Sequence, residues 1–138
     1  MKPVFVDTHF LIAFLNERDA DHELATEWHS RLAETPLVTT AWVLTELADG
    51  MCRSNSRGVC GAFIASLKQA GTIRVVGPDG DWWEQGLSLY RERPDKDWSL
   101  TDCISFAVMR GEDMAEALTG DRHFQQAGFA ALLIDKGD

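Results

Sequence analysis

The stretch VFVDTHFLIAFLN, Val4 to Asn16, decides the fold. Val4, Phe5 and Val6, with Pro3 ahead of them, make a short β-branched and aromatic run of the kind that forms strands. THFLIAFLN suits a buried helix, with Thr8 available as its N-cap. Asp7 stands at the junction. A strand that passes directly into a helix begins a crossover unit, so the question is whether the pattern repeats.

It does. In DADHELATEWHSRLAET, residues Leu24, Trp28 and Leu32 recur every four positions, Asp21 can cap the start and Pro36 closes the helix. LVT is a second strand, and Thr40 caps a helix through AWVLTELADGMC with Val43, Leu44 and Leu47 on one side. RSNSRG is a polar break. VCGAFIASLKQAG is a further helix ending at Gly71, and IRVV is a β-branched strand. After the turn GPDGD, Asp81 and Glu84 have capping-box spacing for WWEQGLSLYRER. RPDKD is a charged loop leading to the helix SLTDCISFAVMRG. AEALT and AALLI read as closing strands, with a short helix DRHFQQAG between them. Strands alternating with helices predict an α/β fold, a three-layer α/β/α sandwich with a mainly parallel central sheet.

The 138 residues, 45% of them hydrophobic, suffice for one domain over 1–138 with a substantial core. There is no internal repeat, low-complexity tract or linker. The longest apolar runs, FLIAFL and AALLI, are far below the roughly 18 residues of a membrane span, so no membrane association is expected. MKPVFVDTH lacks the long apolar region and cleavage site of a secretory signal, and a cytoplasmic location is expected. Cys52, Cys60 and Cys103 are odd in number and lack metal-site or redox spacing, which predicts buried reduced thiols. Thirteen basic against 22 acidic residues give a net charge of −9. That balance excludes broad, sequence-independent wrapping of nucleic acid, so any such binding must be local.

Four acids carry the chemical signal. In parallel sheets ligands sit beyond the carboxyl ends of the strands, and Asp7 follows the first strand while Asp121 follows ALT. Glu46 lies in a helix whose other residues are mostly apolar, and Asp102 opens the apolar run of WSLTDCISF. Each has a local excuse: Asp7 as a turn residue, Glu46 as a solvated helix position, Asp102 as the partner of Ser99 in a capping box, Asp121 as the N-cap of RHFQQ. Together the excuses are less economical than one site. Carboxylates crowded at one sheet edge repel one another unless a hard cation lies among them, and Mg²⁺ or Mn²⁺ fits. Such ions activate water and stabilise the leaving oxygen of a phosphodiester.

Other chemistries lack their residues. There is no phosphate-binding P-loop, no G-x-S-x-G elbow and no H-E-x-x-H zinc motif. His9, His22, His29 and His123 are scattered, and His123 is at most a support for Asp121. Haloacid-dehalogenase-like phosphatases also begin strand–Asp–helix, but they want a second acid two residues on, where this chain has His9.

VFVDTHFLIAFLN, TTAWVLTEL, WSLTDCISFAVM and ALTGDRHFQQAGF, taken in order, resemble the PIN domain of VapC-type toxin ribonucleases, over about Val4 to Leu133. The resemblance places Asp7, Glu46, Asp102 and Asp121 at the acidic, metal-binding catalytic positions, and Thr8, Ser99 and Thr119 at hydroxyl positions that support them. It implies Mg²⁺- or Mn²⁺-dependent hydrolysis of RNA by water, without a covalent enzyme intermediate. Asp7 and Asp102 are implied as direct ligands, Glu46 as ligand or water-orienting base, and Asp121 as ligand of a second or weaker ion. It further implies a homodimer and a small antitoxin partner whose peptide inserts near the active site. A stand-alone RNA-processing nuclease and a PIN-like scaffold that binds RNA or protein without cutting are the alternatives.

For RNA contact the best local basic group is CRSNSRG, with Arg53 and Arg57. Arg91, Arg93 and Lys96 are diluted by Glu92, Asp95 and Asp97. Trp28 and Trp42 have apolar helical neighbours and are expected in the core or an interface. Trp82 and Trp83 cannot both face inward from one helix, so one is expected at the surface.

Overall fold

A computed structural model of the chain describes residues 1–135. The elements run β1 (Val4–Val6), α1 (Thr8–Leu15), α2 (His22–Arg31), β2 (Leu37–Thr40), α3 (Ala41–Gly50), α4 (Arg57–Ala70) and β3 (Ile73–Val76). Then follow α5 (Trp82–Glu92), α6 (Leu100–Gly111), β4 (Glu116–Leu118), α7 (Arg122–Gln126), β5 (Ala130–Ala131) and α8 (Leu132–Asp135). The strands form one sheet in the order β3-β2-β1-β4-β5, every pair parallel. With helices on both faces this is the three-layer α/β/α sandwich read from the alternation. The single domain expected over 1–138 is described to residue 135, its last three positions lying outside the described residues.

The strand order explains where a site can form. From β1 the chain moves to β2 on one side, whereas from β4 it moves to β5 on the other, so the two central neighbours part company at their carboxyl ends. A crevice opens there. Asp7 N donates to Leu118 O at 3.2 Å, fastening the end of β1 to the end of β4. All three residues of β1 are buried, as a strand covered on both faces requires.

The helices that bear site residues are held by aromatic packing. The Phe106 ring lies edge-on to Trp98 at 5.1 Å and to Phe124 at 4.9 Å, joining α6 to α7. Phe106 and Phe124 are fully buried. α5 packs along α6, and Gly86 is needed for that approach: a Cβ there would lie 2.3 Å from Ile104 Cγ1 and 2.9 Å from Ile104 Cα.

Several local expectations change. AALLI pairs as a strand only at Ala130–Ala131 and then turns helical from Leu132, because β5 is an edge strand opposite the three-residue β4. Thr8 does not cap α1; its hydroxyl turns to Glu46. Asp21 occupies the N-cap position of α2 without a side-chain cap, and its carboxylate faces His9. The Asp81–Glu84 box does not form, Asp81 Oδ1 instead accepting from Gln85 Nε2 at 2.9 Å. Cys52 is exposed; Cys60 and Cys103 are buried, and all three are free thiols. Trp28 is buried and Trp83 is the exposed member of its pair. Thr40 caps α3 through Val43 N, Gly71 ends α4 at a φ of 65°, and the Ser99–Asp102 capping box is complete. Among the described residues no helix is long and apolar enough to cross a membrane.

Candidate active site

Asp7 ends β1 with extended backbone and is buried in the crevice. Its Oδ2 accepts from Thr119 Oγ1 at 2.8 Å. Thr119 Oγ1 in turn accepts from Asp121 N at 3.0 Å. One fully buried hydroxyl therefore sets both the Asp7 carboxylate and the backbone that carries Asp121. Asp121 Oδ1 accepts from His123 N at 2.9 Å and starts α7. Between them, Gly120 N donates to His9 Nδ1 at 3.0 Å, which leaves the His9 proton on Nε2, 3.2 Å from Asp21 Oδ2. Gly120 admits no side chain, since a Cβ would meet His9 Cε1 at 2.5 Å.

Asp102 arrives from α6. The capping box fixes it: Asp102 N donates to Ser99 Oγ at 3.0 Å, and Ser99 N donates to Asp102 Oδ2 at 3.2 Å. The same Oδ2 meets His123 Nδ1 at 3.0 Å, and that nitrogen lies 3.4 Å from Asp121 Oδ1. Ligand atoms of Asp102, Asp121 and His123 all fall within 4.8 Å of one another. His123, expected only as a support, is thus a member of the cluster. Its place beside Asp102 depends on contact between α6 and α7, which no local pattern reports; the one sequence signal was a histidine two positions after a capping acid.

Asp7 stands outside that 4.8 Å group but feels it. Burial first, and then the charges of Asp102 and Asp121, push its carboxyl up from 3.8 to about 7, against the opposing Thr119 hydroxyl and Thr8 amide. Burial also raises Asp102, with Asp121 adding to the rise, while His123 and the Ser99 amide oppose it. Glu46 is half-buried on α3 and is held by a 2.6 Å hydrogen bond from Thr8 Oγ1 to its Oε1. Its connection to the other acids runs through Thr8, the neighbour of Asp7.

The donor set consists of carboxylate oxygens with one imidazole, in a partly buried crevice where the carboxylates disfavour one another's charge. That chemistry fits a divalent cation that prefers oxygen. Arg53 and Arg57 sit at the opposite end of α3 from its N-cap Thr40, both exposed, with Arg57 Nη1 donating to Cys52 O at 3.0 Å. A cleft of about 600 Å³ near them, between Ile12, Arg18, Met51 and Val59, contains none of the four acids. His22 Nδ1 lies 2.8 Å from Ala13 O and the His29 ring packs on Phe14, and among the described residues neither belongs to a group of side chains placed to hold a metal.

Comparison with known proteins identifies the family and the fold. The PIN domain family model matches residues 4–130. The 23S rRNA-specific endonuclease VapC20 of Mycobacterium tuberculosis is 31% identical over 137 residues, covering 94% of this chain and 97% of that protein. The crystal structure of M. tuberculosis VapC20, described as a sarcin-ricin loop cleaving toxin, superposes with a TM-score of 0.80 over 92% of this chain and 96% of that one. VapBC2 from Rickettsia felis, bound to a DNA fragment from its promoter, gives 0.70 at 13% identity over 94% and 96% of the chains. FitAcB from Neisseria gonorrhoeae gives 0.65 at 19% identity over 93% and 95%. The last two speak to the fold alone.

Proposed function

The chain belongs to the PIN domain family, and from that premise we propose that it is a metal-dependent endoribonuclease, the toxin of a toxin–antitoxin pair. The observation that carries the reading is the convergence of Asp7, Asp102 and Asp121 at the β1–β4 crevice, with Asp7 pushed up to about 7 by burial and its neighbours' charge. Mg²⁺ or Mn²⁺ held by Asp7, Asp102 and Asp121 would supply an activated water and positive charge at the scissile phosphate. The protein's own groups do the rest. Thr119 fixes Asp7 and the Asp121 backbone, the Ser99 box fixes Asp102, and Thr8 holds Glu46 by Oε1 so that Oε2 is available to take a proton from water. Water adds to phosphorus as its proton passes to Glu46, the bond to the leaving ribose oxygen breaks, and that oxygen takes a proton from solvent, with no covalent enzyme intermediate.

The likeness to an enzyme specific for 23S rRNA makes ribosomal RNA the first substrate to test, with Arg53 and Arg57 as contacts to phosphates away from the cut. A homodimer and an antitoxin are the partners that the family membership implies. The test is cleavage of ribosomal and total cellular RNA by purified protein in Mn²⁺, in Mg²⁺ and in chelator, beside Asp102→Asn. Asparagine preserves the size of the side chain and an oxygen for the Ser99 amide while removing the charge. Metal-dependent cuts that vanish in Asp102→Asn are expected. Equal cutting by the variant would overturn the catalytic role, and no cutting of any RNA would favour a scaffold that binds without cleaving.

A further inference from the structure

We propose that His123 Nδ1 is a direct ligand of the divalent ion at this site, which makes the site a mixed nitrogen–oxygen site that favours Mn²⁺ over Mg²⁺; the inference rests on the metal-dependent reading above. The geometry carries it. Nδ1 lies 3.0 Å from Asp102 Oδ2 and 3.4 Å from Asp121 Oδ1. Two adjacent ligands of a six-coordinate ion with bonds of about 2.0–2.1 Å are about 3 Å apart, so the first separation matches neighbouring coordination positions and the second is a few tenths of an ångström longer. The ring hydrogen-bonds Asp102 without an ion, and because the same nitrogen is aimed at a second acid, an ion entering between the carboxylates meets it.

The ring is also held in place. Asp121 Oδ1 accepts from His123 N at 2.9 Å, which fixes the first turn of α7, and the adjoining Phe124 is locked against Phe106. The other histidines have other occupations: His9 between Gly120 and Asp21, His22 at Ala13 O, His29 on Phe14. Ligation at Nδ1 uses the tautomer with its proton on Nε2. Imidazole is a better donor to transition-metal ions than to Mg²⁺, which prefers oxygen and retains its water. Hence the two ions respond differently to loss of the ring.

The experiment is pulsed electron spin resonance of the Mn²⁺-loaded full chain, in which a directly bound imidazole modulates the echo through its ¹⁴N nucleus. The expected result is ¹⁴N modulation in the wild type that is replaced by the ¹⁵N pattern on histidine labelling, is lost in His123→Gln and persists in His9→Gln. His123→Gln should weaken Mn²⁺ binding on the order of tenfold while changing Mg²⁺ binding much less, whereas a ring that merely positions the carboxylates would shift both alike. Mn²⁺ bound without ¹⁴N modulation overturns the inference and leaves the nuclease reading standing. Modulation that follows His9 instead also overturns it. A wild type that binds no Mn²⁺ overturns both. The labelling arm uses only wild-type protein, so the result does not depend on the variant folding.

Discussion

Replacing Asp7 by Asn should stabilise the metal-free protein. Asp7 is 4% exposed, and its carboxyl rises from 3.8 to about 7, about three pH units. At ~1.4 kcal/mol per unit, holding it ionised in the fold costs about 4 kcal/mol, of which relaxation and water penetration leave an expected net effect of about 2–4 kcal/mol. The sign follows from proton binding. Between pH 3.8 and about 7 the native state holds a proton that the unfolded chain has released, so stability falls as pH rises through that window and is level above it. Asn carries no such charge, while its oxygen still accepts from Thr119 Oγ1. The gain of Asp7→Asn over wild type is therefore near zero at pH 4 and reaches its full value by pH 8. Urea unfolding in chelator, followed by tryptophan fluorescence at pH 4.5, 6 and 8, measures it. Adding Mn²⁺ at about a hundred times its Kd should return ~2.7 kcal/mol to wild type and less to the variant. A variant no more stable than wild type at pH 8 in chelator, or a gain that does not grow with pH, would refute the reasoning.

Thr119→Val removes the donor to Asp7 and the acceptor for Asp121 N at a fully buried position, so it should lower unfolding free energy by about 2–4 kcal/mol, read from the urea midpoint. Phe106→Ala empties the contact between α6 and α7 and should cost about 3–5 kcal/mol by the same measurement. Gly120→Ala forces the His9 ring away and shifts the loop that carries Asp121; it should destabilise by about 1–3 kcal/mol, and calorimetric titration should find weaker Mn²⁺ binding.

The alternation of strands and helices was legible because each segment carries its own periodicity and punctuation. VFV, LVT and IRVV lie where strands form, and Thr40, Ser99 and Gly71 act as the caps their types suggest. AALLI was not legible: a short apolar run reads alike as strand or helix, and the outcome was set by how few residues of β4 remained to pair with it. Only the local reading of Thr8 as a cap failed, because its partner, Glu46, lies 38 positions away and nothing local distinguishes a cap from a long-range donor; its hydroxyl meets one of the acids it was expected to support. For His123 only the neighbourhood of Asp121 was legible, since its nitrogen also reaches an acid 21 positions earlier on another helix. The acids themselves were readable only as a set, since each has a valid local role.

Those local roles are the reason that the site exists where it does. In a parallel sheet every strand ends at the same edge, and the helix that follows begins there, so helix N-termini converge on that edge together with the strand ends. An acid is favoured in the first turn of a helix, where its oxygens face unpaired amide hydrogens. Asp7 takes the N-cap position of α1, Asp102 the third residue of α6 and Asp121 the N-cap of α7. Local preference and topology thus bring three carboxylates to one crevice before any demand from catalysis. The capping bonds then orient the acids: Ser99 N donates to Asp102 Oδ2 and His123 N to Asp121 Oδ1, the same two oxygens that face His123 Nδ1, and each bond uses one lone pair while holding its carboxylate in one direction. Capping and ligation are therefore not rival explanations for Asp102. The bond to Ser99 that starts α6 also holds the carboxylate in the direction in which a cation would meet it.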